Sequence, residues 1–183
     1  LRIAGESLCT VTGVTYAPFA GGTARRVATC GTRAYYQSGN DWVVLNAPFT
    51  GGQNNQVVFT TALSNLIATD DTTAGPKQWD GSASTVFQPV NFTGLTTAVQ
   101  AARTTLFYQN YLLFGNTVEG GTRYPTRVRW SNVGFINTWT TADYVDVDAP
   151  AGQELNCMAQ LYGDVYLGFT SSLYRMSLVG GSG

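Results

Sequence analysis

The sequence predicts an all-β protein: a propeller-like array of about four short-stranded antiparallel blades, of a kind that a larger propeller could incorporate. Three observations predict it. Of the 183 residues, 44% are hydrophobic and 13% aromatic while only 11% are charged, and 21 are Gly. The net charge is −1, and so neutral a chain with this many aromatics excludes disorder. Secondly, nearly every apolar cluster is short, β-branched or aromatic, and is closed by Gly, Asn, Asp or Pro within about 4–8 residues, the signature of strands. Thirdly, the strands recur as a unit of up to four.

The first unit takes its inner strand from Leu8 to Tyr16, followed by Val27-Ala28-Thr29-Cys30, Arg33-Ala34-Tyr35-Tyr36 and Trp42-Val43-Val44-Leu45. The second runs through Gln56-Val57-Val58-Phe59-Thr60, Leu66-Ile67-Ala68-Thr69, Pro76-Lys77-Gln78-Trp79-Asp80 and Thr85-Val86-Phe87. The third holds Thr104 to Tyr108, Tyr111 to Gly115, Thr126 to Ser131, and Thr138-Trp139-Thr140. The fourth holds Leu155 to Ala159, Val165 to Phe169, and Ser172 to Met176. The one helical candidate, Gly94 to Arg103, carries two Thr and leads into Leu106-Phe107-Tyr108, which argues for another strand. Aligning the second strands at Val27, Leu66, Leu112 and Tyr166 gives steps of 39, 46 and 54 residues, near the spacing of about 40–50 residues in propeller blades. A four-stranded sheet cannot cover both its faces alone, which is the physical reason to stack such sheets. The units fall at approximately 8–48, 56–90, 98–148 and 152–179 within a single domain spanning 1–183. Segments 116–125 and 132–137 read as long loops rich in Gly, Asn and Thr. The chain opens at Leu1 rather than Met, which predicts a processed product or part of a longer polypeptide.

Composition narrows the chemistry. There is no His, so a Ser-His-Asp or Cys-His nucleophile system and a His-ligated zinc are excluded within these residues. The one lysine, Lys77, sits between Pro76 and Trp79 and reads as structural. Cys9, Cys30 and Cys157 are widely spaced and form no C-x-x-C, so they read as small buried hydrophobes rather than a metal cage or a dense disulfide framework. No apolar run reaches the roughly 20 residues of a membrane helix. The sequence thus assigns no catalytic residue, no metal site and no cofactor.

The candidate motifs have plain structural readings. Trp79-Asp80-Gly81 and Trp130-Ser131-Asn132 end equivalent strands, where a large aromatic anchors a turn on its neighbour. Asp146 and Asp148 share one face of a strand and read as a solvent-facing edge. Arg25-Arg26 and Arg123, Arg127 and Arg129 are the basic groups, with the last two on one strand face. An isoelectric point of 5.2 argues against a nucleic-acid groove, so cross-strand pairing with acids or subunit contact is expected. Asn91-Phe92-Thr93 is a glycosylation triplet of a kind frequent in a Thr-rich chain.

The succession Ser64 to Thr69, Pro76 to Gly81, Thr104 to Phe107 and Leu112 to Phe114 resembles the β-propeller structural proteins of tailed bacteriophages. Pro125 to Asn132 followed by Asn137-Thr138-Trp139 is similar to their recurring Arg-Val-x-Trp-Ser segment, and Gly152 to Leu161 with Asp164 to Tyr174 resembles the blade that follows it. The resemblance covers about residues 25–178. It implies a virion protein of the tail nozzle, tail tube or head-to-tail junction, assembled with copies of itself into a ring and docked on other tail proteins. Genomic DNA would then be met only by non-specific passage. The competing reading from the residues is a carbohydrate-binding propeller that uses Trp42, Trp79, Trp130 and Trp139 as sugar platforms. A hydrolase with paired acids is disfavoured by the scarcity of Glu, present only as Glu6, Glu119 and Glu154.

Overall fold

The computed structural model describes residues 10–177. They form four antiparallel meanders, each pairing its strands in chain order. The first sheet contains β1 (Val11–Pro18), β2 (Ala24–Cys30), β3 (Arg33–Ser38) and β4 (Asp41–Asn46). The second contains β5 (Val58–Ala62), β6 (Asn65–Thr69), β7 (Lys77–Trp79) and β8 (Gln88–Pro89). The third contains β9 (Val99–Tyr108), β10 (Tyr111–Glu119), β11 (Thr122–Ser131) and β12 (Trp139–Asp146). The fourth has three strands among the described residues: β13 (Leu155–Leu161), β14 (Asp164–Phe169) and β15 (Leu173–Met176). The first strands of successive sheets, β1, β5, β9 and β13, lie against one another in that order. The all-β class is therefore observed, but the sheets do not close on themselves.

Tight turns explain the meanders. Leu63-Ser64, Gln109-Asn110 and Tyr162-Gly163 join the first two strands of the second, third and fourth sheets, and all six residues have positive φ, from 45° to 87°. They separate the paired residues Ala62 and Asn65, Tyr108 and Tyr111, and Leu161 and Asp164, the two-residue geometry whose twist matches that of the flanking strands. Gly120-Gly121 does the same between Glu119 and Thr122. The long loop expected at 116–125 is therefore absent; those residues are the ends of β10 and β11 around a two-glycine turn. Segment 132–137 is a loop, with Val133 and Phe135 exposed.

Each gap between consecutive sheets is filled by one apolar cluster. Val27, Tyr36, Phe49, Leu66, Trp79 and Phe87 pack between the first and second sheets. Ile67, Val99, Leu112, Phe114, Ile136 and Trp139 pack between the second and third. Tyr108, Leu113, Val128, Leu155, Val165 and Leu167 pack between the third and fourth. Strand alternation produces this division: Leu66 and Ile67, or Leu112 and Leu113, point to opposite neighbours. Two of the aligned positions slip by one residue. Leu66 and Leu112 face the preceding sheet, whereas Val27 faces the following one, and Tyr166 alternates with the inward Val165 and Leu167 and points away. The sheets approach closely at these gaps. A Cβ on Gly13 would lie 2.7 Å from the Val57 carbonyl oxygen, and one on Gly115 would lie 2.6 Å from the Leu155 side chain.

The segment 94–103 contributes β9 from Val99 onward, the strand that its composition argues for. Several further expectations are corrected. The fourth strand of the second unit is Gln88–Pro89 rather than 85–87, because residues 80–85 are held in a turn by Asp80, Ser82 and Thr85. Trp130 is only half-buried, and it faces the fourth sheet while Trp79 faces the first, so the two are not equivalent. The residue that takes the part of Trp79 in the third sheet is Trp139. Cys30 is buried but disulfide-bonded, and Cys157 is an exposed free thiol, so neither is simply a small buried hydrophobe. Cys9, Leu8 and Glu6 lie outside the described residues.

Candidate functional site

The densest chemistry lies on the third sheet. Thr117, Glu119, Arg127 and Arg129 are buried there, on β10 and β11. Arg129 grips Glu119 with two hydrogen bonds, Nε to Oε1 at 2.9 Å and Nη2 to Oε2 at 2.7 Å, and Thr117 Oγ1 donates to Oε1 at 2.8 Å. Arg127 reaches Glu119 Oε2 at 3.3 Å and spans to β12, where Nε and Nη2 each donate to Asp146 at 2.8 Å. Its guanidinium lies between two rings, 3.7 Å from the Tyr124 centroid and 3.8 Å from that of Tyr144. Two forked guanidinium–carboxylate pairs and a cation–π sandwich thus lock three neighbouring strands. Burial works to raise the Glu119 carboxyl, but the Arg129 and Thr117 hydrogen bonds and the two positive charges outweigh it and hold it below its ordinary value. The Asp146 hydrogen bonds, opposed by burial, hold Arg127 well above the ordinary guanidinium range.

A second network crosses sheets. Asp71, just after β6, accepts from Arg103 Nε of β9 at 3.0 Å and from Arg123 Nη2 of β11 at 2.8 Å. Arg103 Nη1 also donates to Glu154 and, at 3.0 Å, to Asn156 of β13. Arg123 Nη1 donates to Asn116 Oδ1 at 2.7 Å, and Asn116 Nδ2 donates to the Leu155 carbonyl at 3.2 Å. The second, third and fourth sheets are tied together through these side chains. Burial opposes the charge on Arg103, but Asp71 and Glu154 more than offset it, and its pKa is raised.

Nearby, the buried Asp70 accepts from the backbone N–H groups of Thr50 and Gly51, each at 3.1 Å, and so fastens the connection between the first two sheets. Lys77 donates to the Ala74 carbonyl, and burial lowers its pKa against the pull of Asp70.

The residues singled out in the sequence thus separate. Arg127 and Arg129 pair with acids as expected, and Asp146 is drawn into that pairing; Asp148 lies past the end of β12. Arg25 donates to the Gly81 carbonyl at 2.7 Å and lies over Tyr36, while Arg26 donates to Gln37 at 3.1 Å. Trp79 and Trp139 are buried, their indole N–H groups spent on Ser82 and Thr85 and on Asn91 respectively. Trp42 packs on Cys30 and Tyr35. The four tryptophans therefore form no shared exposed platform. Trp130 lines an apolar cleft of about 280 Å³ with Tyr108, Tyr111, Leu113, Val145 and Met176. Sequence reasoning missed Glu119 and Asp71, because a lone acid before a glycine pair and one of two adjacent aspartates carry no local signal. Only the pairing of β10 with β11 brings Glu119 to its arginines, and only the packing of the second sheet on the third brings Asp71 to Arg103 and Arg123.

Every buried charge in these networks is matched by an opposite charge, a backbone N–H or a carbonyl, an arrangement suited to fixing strands rather than to exchanging protons with a substrate. Among the described residues no group of three or more His, Cys, Asp or Glu is placed to hold a metal ion, and no helix is long and apolar enough to cross a membrane. No known family model and no curated protein matches the chain.

Proposed function

We propose that the chain is a non-catalytic structural component of a bacteriophage tail, in the nozzle, tail tube or head-to-tail junction, and that its four sheets are blades of a propeller contributing to a ring through which DNA passes. The observation that carries this reading is the succession of four meanders whose first strands lie side by side, since radial stacking is what such sheets do in propellers. The segment order resembling phage propeller proteins supports the assignment to a tail. Salt-bridged seams between sheets suit a part that must keep its shape under load. A net charge of −1 with one lysine suits a surface that DNA slides past, because phosphate contacts from Lys and Arg are what make DNA binding tight.

Immunogold labelling tests the proposal. Antibody raised against the purified chain should decorate the tail of the virions whose genome encodes it. Particles left unlabelled after mild disruption, with the chain absent from their protein complement, would overturn it.

A further inference from the structure

We propose that the cleft between the second sheet and the 132–137 loop is a binding subsite for one ring of a neutral carbohydrate. The cleft has a volume of about 280 Å³, and four carboxamides line it: Asn65, Gln78, Gln88 and Asn137. Their placement follows from strand register. Ile67 pairs with Gln78, and Gln78 pairs with Gln88, so the three side chains share the face turned toward the third sheet. Asn65, two residues before Ile67, lies on the same face. Ile67 itself is in the apolar cluster with Ile136 and Trp139. One step outward the apolar packing stops and the amides begin. On the opposite face of this sheet the gap is sealed by Trp79, Phe87 and their aromatic neighbours. Of the two faces of the second sheet, only the one turned toward the third carries this row of amides.

The donors and acceptors left over define the ligand. Asn137 Oδ1 accepts from the Asn91 N–H at 3.1 Å, leaving its Nδ2 unspent. Asn65 Nδ2 donates to the Leu63 carbonyl at 3.1 Å and Gln78 Nε2 to the Pro89 carbonyl at 3.4 Å, leaving both side-chain oxygens unspent. The Gln88 amide makes no hydrogen bond to any described residue, so a donor and an acceptor are open there. Asp80 spends Oδ1 on the Ser82 N–H and the Thr85 hydroxyl, and Oδ2 remains. Vicinal hydroxyls each donate and accept, and a row of planar amides presents both roles at close spacing.

Charge and shape narrow the class further. No Lys or Arg lines the cleft, and Asp80 is held below the ordinary carboxylate range by the Thr85 and Ser82 hydrogen bonds, so the rim is negative and disfavours phosphates and acidic sugars. Val86 and Ile136 supply an apolar floor for the C–H face of a pyranose. The inference is independent of the tail assignment and differs from tryptophan platforms, since the indoles are not the contact surface.

Side-chain amide NMR spectra of the purified chain test it, with methyl α-D-glucopyranoside, methyl α-D-mannopyranoside, methyl β-D-galactopyranoside and N-acetylglucosamine as probes and N-acetylneuraminic acid as the anionic comparison. At least one neutral probe should shift the amides of Asn65, Gln78, Gln88 and Asn137 saturably, with a dissociation constant of about 1–10 mM. The acidic sugar should not. Gln78→Leu with Gln88→Leu should weaken binding about tenfold or more, while Gln160→Leu, at an exposed amide on the fourth sheet, should leave it unchanged. The absence of saturable shifts from every neutral probe at about 100 mM, equal affinity in the double variant, or preference for the acidic sugar would each overturn the proposal. If the double variant fails to fold, the map of shifts on the native chain still decides.

Discussion

Arg123 and Asp71 lie 52 residues apart in the chain and meet at 2.8 Å, Nη2 to Oδ1, while the second oxygen of the same carboxylate is taken by Arg103. One acid thus serves two arginines and, through Arg103, a third sheet. Asp71 has φ of 57°, a conformation that Asp and Asn tolerate better than other side chains. Asp71→Asn therefore removes the charge while keeping shape and backbone preference. About two-thirds or more of each side chain is shielded from solvent, so the substitution should cost roughly 1–2 kcal/mol in urea unfolding. The deficit relative to the native chain should shrink in molar salt, which screens the partly exposed pairs. A deficit independent of salt would show that packing, not charge, holds this seam.

Glu119 makes a different prediction because it is buried between two arginines. Its folded-state pKa is depressed, so it contributes stability that is fully present above the unfolded value near 4.5 and is lost as pH falls through the folded one. Glu119→Gln leaves two guanidinium groups short of a counter-charge and should cost about 3 kcal/mol at neutral pH. The difference between the native chain and the variant should narrow as pH is lowered below that value, because the native chain then loses the same charge. Paired denaturation curves across pH measure this, and a constant difference would contradict the assigned charge state.

Trp79 and Trp130 should now separate in their energetics. Trp79 is 1% exposed and ringed by Phe19, Tyr36 and Phe87 with centroids 5.2, 5.8 and 5.9 Å away. Truncation to Ala leaves a cavity there and should cost roughly 3–5 kcal/mol. Trp130 lines an open cleft, which solvent refills, so Trp130→Ala should cost less than half as much. Thermal unfolding of the two variants compares them directly, and equal losses would mean that the cleft is closed in solution.

How much was legible in the sequence follows from the range of each signal. The second and third strands of most units were readable because apolar alternation and turn residues are local, as in Tyr111 to Gly115 or Leu173 to Met176. The turn at Leu63-Ser64 was hidden because neither residue favours the left-handed conformation it adopts. Segment 116–125 was mistaken for a loop because Thr, Asn and Gly are turn-like in composition, although Thr117 and Asn116 are fully buried strand residues. The facing of Val27 and Tyr166 was lost because a one-residue slip in alignment reverses a strand's two faces. The amide row of Asn65, Gln78 and Gln88 comes from three strands and exists only once register is fixed.

Assembly provides the last prediction. Among the described residues β15 pairs only with β14, so one side of the fourth sheet presents unpaired backbone groups. Its outer face carries Leu161 and Leu173, 50% and 68% exposed, with Ala159, Tyr166 and the Asp164–Arg175 ion pair beside them. A strand edge beside exposed leucines is a template for pairing with another chain, and a ring component would meet its neighbour there. The purified chain should therefore self-associate at micromolar concentration in sedimentation velocity, and Leu161→Lys with Leu173→Lys should return it to the monomer without unfolding it. Both sites are exposed, so the double substitution should cost little stability of its own. A native chain that stays monomeric and unfolds cooperatively under those conditions would count against a place in a ring, while association that survives the double substitution would move the contact to another surface, with the exposed Val133 and Phe135 of the 132–137 loop the next to be replaced.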